Sequence, residues 1–166
     1  MHKTVIAMAL ACAFGAADAQ TLVERAQRDE VALTRAEDPK MQAAYAKARA
    51  GLDEFLALQR EPPAHLTGFS VKVGVKEGER TEFFWMGDLQ VEGEGYSAVI
   101  DNKPRIVHRV HMGERYAFAR EEIVDWTYRD SERQATHGNF TACALIARES
   151  PEQAEAFKLR FGLSCD

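Results

Sequence analysis

The chain has 166 residues, with 21 Lys and Arg against 26 Asp and Glu, for a net charge of −5. A mildly acidic protein without a block of clustered cations is poorly suited to a phosphate backbone, and no nucleic-acid role is read here. The length suits one domain with a real core and is short for two, and no stretch past the N-terminus reaches the about 20 apolar residues of a membrane-spanning helix.

The chain opens MHKTVIAMALACAFGAADAQ. A basic start (His2, Lys3), an apolar run over residues 5–15 and Ala17-Asp18-Ala19 follow in the order of a secretory signal peptide. Residues 1–19 are therefore predicted to be removed before Gln20, and the protein is expected in the periplasm or outside the cell. A buried N-terminal helix is the plainer alternative, but it does not explain the order of the three parts. Acylation at Cys12 is a second alternative; Ala9-Leu10-Ala11 before it makes a poor lipobox.

Cleavage takes Cys12 away and leaves Cys143 and Cys165. An even pair in an exported chain reads as a disulfide; the alternative is two free thiols, Cys143 buried and Cys165 at a frayed end. Without a C-x-x-C pair, a thioredoxin-like redox role has no support.

Residues 20–37 are polar, charged and weakly periodic, and are read as an exposed arm. A single domain follows over 38–166. Asp38 is an N-cap and Pro39 occupies the first helical position, where a missing N–H costs nothing. Met41, Ala44, Tyr45, Ala48, Leu52, Phe55 and Leu56 then recur at steps of three and four, one apolar stripe on an amphipathic helix of about five turns. Glu61-Pro62-Pro63 ends it and opens a linker to Gly68.

The period changes to two at Phe69, Val71, Val73 and Val75, which alternate with Ser70, Lys72, Gly74 and Lys76 in a half-buried strand. A turn at Glu77-Gly78 leads into an aromatic-rich strand over 81–86. Further strands are predicted near 96–100, 116–118 and 123–128, with turns at 93–95, 101–102 and 112–113. Residues 140–147 fit either a strand or a buried helix. Ser150, Pro151 and Gln153 suit a capping box for a last helix, which places Ala154, Phe157 and Phe161 on one face and stops at Gly162. A disulfide would pin this helix onto the sheet.

FSVKV at 69–73, Trp85, DNKP at 101–104, Gly113-Glu114, IVDWTY at 123–128, GNFTACAL from Gly138 and the closing FGLSCD occur in one order. With these motifs the chain resembles the YegJ-like family, domain of unknown function 2314, over about residues 38–166. The resemblance implies a small bacterial α+β domain; it implies no activity and supplies no functional residues.

The residues themselves offer few sites. His108 and His111, three apart, would point to opposite faces of a strand and could not share an ion there. His65 and His137 fall in predicted loops, so no metal or cofactor is assigned. Ser70, Ser97 and Ser131 lack a G-x-S-x-G elbow, and Cys143 lies in an apolar run that blunts a thiol. Glu82, Asp88, Asp101 and Asp125 are the acids from which a paired-carboxylate hydrolase would be built. Trp85 and Trp126 read first as core; exposed, they would centre a recognition surface with Asp101, Asn102, Arg105 and Asp125 around them.

The sequence thus predicts an α+β domain. An N-terminal amphipathic helix and a C-terminal helix pack on a strongly twisted antiparallel sheet of about five strands. The first functional expectation is a non-catalytic binding or protein-interaction module, with an envelope protein or a toxin as partner. An envelope hydrolase using Asp125 and Asp101 is the alternative.

Overall fold

Over residues 38–165, the part that the computed structural model describes, the path begins with the helix whose start the sequence marks. The expected signal peptide, Cys12 and the arm at 20–37 lie outside the described residues. Helix α1 spans Pro39–Arg60. The Asp38 carboxylate accepts the N–H groups of Lys40 and Met41 at 3.0 and 3.2 Å, a cap that contributes about 1 kcal/mol. The buried residues of α1 are the seven of the apolar stripe.

The strands are β1 (Leu66–Glu77), β2 (Arg80–Glu92), β3 (Gly95–Ile100), β4 (Arg115–Phe118), β5 (Ile123–Asp130) and β6 (Ala135–Gly138), with a short 3-10 turn at Arg120–Glu122. They form one twisted antiparallel sheet in the order β4-β3-β2-β1-β5-β6. Helices α2 (Phe140–Ile146) and α3 (Pro151–Phe161) follow, so the fold is α+β. The ambiguous stretch at 140–147 is a helix.

The sheet has six strands rather than about five. The additional strand, β6, contains His137, which the sequence suggested was in a loop. Its four residues, Ala-Thr-His-Gly, carry no apolar alternation; pairing with Thr127, Tyr128, Arg129 and Asp130 makes them a strand. β1 also starts three residues before Phe69. Leu66 and Thr67 pair with Asp130 and Arg129, and the register shifts before Ser70, around Gly68 at φ +65°. Such an irregularity breaks the alternation by which a strand is recognised.

Val71, Val73 and Val75 of β1 and Phe84 and Met86 of β2 are completely buried, and they pack in one core with Ala48, Leu52, Phe55 and Leu56 of α1. Burial of each large side chain stabilises the fold by about 1.5–3 kcal/mol. A second, smaller core of Ile146, Phe157 and Leu163 joins α2, α3 and the tail.

A disulfide links Cys143 to Cys165, 22 positions apart. It ties the tail to helix α2 rather than directly to the sheet. The tail reaches the sheet by its own backbone: Thr136 donates its N–H to the Gly162 carbonyl at 2.8 Å, and Leu163 bridges to Thr136 in parallel. Among the described residues, no helix is long and apolar enough to cross a membrane.

Candidate functional site

Strand register places three of the chemically interesting side chains in one row. Lys72 on β1 lies opposite Asp125 on β5 and opposite Trp85 on β2, and cross-strand partners share a sheet face. The Lys72 ammonium stands 5.5 Å from the centre of the Trp85 ring and donates to the Thr141 hydroxyl at 3.1 Å. That hydroxyl donates to Asp125 Oδ2 at 2.6 Å, and the Thr141 N–H donates to the same oxygen at 2.8 Å. Oδ1 accepts the N–H groups of Trp126 and Phe140 at 2.9 and 3.2 Å.

Four donors therefore fill the acceptor positions of a carboxylate with no exposed surface. Burial pushes the Asp125 carboxyl up, against the bonds from Thr141 and the charge of Lys72; burial likewise pushes the Lys72 ammonium down, against the charge of Asp125. The arrangement anchors α2. Asn139, the residue at the helix start, makes no side-chain cap, and Asp125 takes the free N–H groups of the first turn from across the sheet edge. A carboxylate so occupied has no lone pair left to accept a substrate proton.

The other residues singled out from sequence are brought beside Trp85, with their backbones foremost. Asp101 donates its N–H to the Trp85 carbonyl at 2.9 Å, and Asn102 Oδ1 accepts the Trp85 N–H at 2.7 Å. Both bonds prolong the β2–β3 ladder by one residue. Arg105 donates its N–H to the Glu82 carboxylate, which also collects the N–H groups of Ile106 and Val107 at 2.8 and 2.9 Å. Glu82 thus shapes the loop.

Asp101 and Asp125 do not converge. β1 and β2 separate them, and three strand spacings of about 4.8 Å amount to ~14 Å. That exceeds the up to about 9.5 Å of paired glycosidase carboxylates. His108 and His111 are exposed and give their N–H groups to Glu77 and Glu114; among the described residues no three His, Cys, Asp or Glu side chains gather to hold a metal.

Trp126 is buried. Its indole N–H donates to the Ala48 carbonyl at 2.8 Å, and its ring stacks on Phe55 at 5.2 Å and meets Phe140 edge-on at 5.3 Å. Gly51 lets α1 come this close: a β-carbon there would stand 2.8 Å from the indole. Trp85 is partly buried, with Lys72 against its ring. Neither tryptophan centres a flat, exposed apolar patch.

Beyond Trp126 the surface folds inward into a groove of about 620 Å³. Lys40, Ala43, Ala44 and Lys47 of α1 form one wall, and Ala154 and Lys158 of α3 stand on another. Thr136, His137 and Gly138 of β6, the disulfide and the inner side of α2 complete it. The volume lies in the range of small-molecule sites. The disulfide belongs to the lining and joins α2 to the tail, so it holds two parts of the groove together. Sequence reasoning missed this concavity. Its one legible signal, alanines at 43, 44, 144, 147 and 154, is also ordinary helix composition.

Comparison with known proteins places residues 38–165 within a family described as "Uncharacterized protein conserved in bacteria (DUF2314)". The "Uncharacterized protein YegJ" of Escherichia coli (strain K12) is 28% identical over 120 residues, covering 72% of this chain and 76% of that protein. No solved structure matches the chain.

Proposed function

We propose, for a chain that belongs to the DUF2314 family of bacterial proteins, a role as an exported, non-catalytic binding module whose ligand seats in the groove beside the disulfide. The groove carries this reading. It is an apolar concavity with polar groups at its edge, the form in which proteins hold ligands, and it is assembled from α1, β5, β6, α2, α3 and the tail. Export is supported by the leader-like residues 1–19 and by the Cys143–Cys165 bond, since disulfides persist in oxidising compartments.

The test uses the mature, oxidised protein and a neutral apolar reporter, N-phenylnaphthylamine, whose fluorescence rises on leaving water. Ala43→Trp and Ala144→Trp each push a large ring into the groove, whereas Ala57→Trp places one on an exposed part of α1 outside it. Saturable binding that both groove variants abolish and Ala57→Trp retains is the expected result. Binding undiminished in both groove variants, or none in the parent protein, overturns the reading. Export is checked on protein expressed with its leader: a periplasmic product beginning at Gln20 is expected, and an intact leader in the cytosol refutes it.

A further inference from the structure

The lining of the groove has a one-sided charge. Lys40 and Lys47 approach from α1 and Lys158 from α3, and no Asp or Glu is among the lining residues. Lys40 and Lys47 are seven residues apart, two turns or about 10 Å along one face of the helix. Lys40 donates to the Ala147 carbonyl at 3.3 Å, and Lys158 pairs with Glu155 at 2.9 Å. Between them the floor is Trp126, Phe140, Ile146 and alanine methyls. This is an apolar trough with a cationic rim, in a protein that is acidic as a whole.

Resting on the binding role above, we infer that the occupant is a single-chain anionic amphiphile, a fatty-acid-like molecule with its hydrocarbon chain along the trough and its carboxylate among the rim lysines. Charge complementarity chooses the head group, because a carboxylate accepts charge-assisted bonds from ammonium donors. The backbone argues against an extended peptide. On the open side of β6, where a peptide strand would add, Thr136 already gives its N–H to Gly162 and bridges to Leu163 of the tail. A peptide adding there would have to displace main-chain bonds of the kind that give such peptides their affinity. Long lysine stems suit the amphiphile further, since they lie along apolar surface while the charged ends stay wet.

The experiment displaces bound N-phenylnaphthylamine with three ligands of equal chain length, each below its micelle concentration: hexadecanoate, hexadecanol and hexadecyltrimethylammonium. Hexadecanoate is expected to compete about tenfold better than hexadecanol, the ratio for one well-placed charge-assisted contact, and the cationic ligand worse than either. In the Lys40→Met, Lys47→Met, Lys158→Met triple variant, which keeps side-chain length, hexadecanoate should fall to the level of hexadecanol while reporter binding persists. Equal competition by hexadecanoate and hexadecanol in the parent protein overturns the inference. So does failure of all three to displace a reporter that the groove variants abolish; that outcome leaves the groove a binding site for another kind of ligand, a folded partner's side chains or residues 20–37 of this chain among them.

Discussion

Asp125 and Thr141 are joined twice, the carboxylate taking the threonine N–H at 2.8 Å and its hydroxyl at 2.6 Å. Through that hydroxyl the buried acid also reaches Lys72, so a cation on β1 and an anion on β5 meet across a side chain of α2. β-Strand pairing makes the contact possible. Lys72 pairs with Asp125 but Val73 pairs with Ile123, so Val124 has no partner on β1. Ile123 enters the main core while Asp125 turns toward α2.

Removal of the carboxylate should therefore cost more than a surface acid would. Asp125→Ala leaves three backbone N–H groups and a hydroxyl without their acceptor and the half-buried Lys72 ammonium without its opposite charge. A loss of about 3 kcal/mol is expected in urea unfolding. Asp125→Asn keeps one accepting oxygen and should lose roughly half as much. A cost for Asp125→Ala under about 0.5 kcal/mol, the level of an ordinary surface change, would show that α2 does not depend on this cap.

Gly138 separates two effects that are often confounded. It sits at φ +75°, and a β-carbon there would stand 2.1 Å from the Trp126 carbonyl oxygen. Gly162 has a similar φ of +63°, but its nearest neighbour would be 3.4 Å away. Gly162→Ala should cost only the left-handed backbone penalty, about 1 kcal/mol. Gly138→Ala adds a backbone collision and should cost above about 3 kcal/mol, or prevent folding. Equal thermal midpoints for the two variants would contradict this geometry.

These contacts show what could be read from sequence. Helix α1 was legible because its cap, its N-terminal proline and its 3.6-residue stripe agree, and agreement across levels is what specifies an element. Valines on alternate positions identified β1 for the same reason. β6 was hidden because Ala135, Thr136, His137 and Gly138 acquire their strand conformation from a partner. The part played by Asp125 was hidden too: an acid beside a tryptophan looks like a recognition pair, whereas its bonds run to a helix 16 positions away. The groove draws on segments from Lys40 to Cys165, so no local pattern records it. The disulfide was legible from the two cysteines left by the expected cleavage of the leader.

Reduction tests how much the fold depends on that bond. A cross-link that spans 22 positions restricts the unfolded chain by about 3 kcal/mol in the loop-entropy description. Urea unfolding with and without dithiothreitol should differ by roughly that amount. Cys143→Ser should match the reduced parent protein and be indifferent to the reductant. Because Cys143 and Cys165 line the groove, reduction should also weaken reporter binding under conditions where the protein remains folded.

Asp130 supplies a pH test. At the end of β5 its carboxylate accepts the N–H groups of Glu132 and Arg133, each at 3.0 Å, and the Arg133 guanidinium at 2.7 Å. The Arg133 backbone bond, then its side-chain bond, hold the carboxyl down at about 2. His137 Nε2 stands 3.9 Å from the same carboxylate, and Tyr128 packs against that imidazole at 4.8 Å. A depressed acid binds its proton less readily when folded than when unfolded, so the unfolded chain takes up protons first as the pH drops. Its contribution is complete above the ordinary carboxylate range near pH ~4 and is lost as the pH falls through about 2. Asp130→Asn removes the titrating group. The stability gap between parent and variant should be constant from neutral pH down to about 4 and narrow steadily toward pH ~2. Unfolding midpoints in urea, taken at each pH, measure it directly. A gap that widens on acidification would reverse the sign and exclude Asp130 as a source of acid sensitivity.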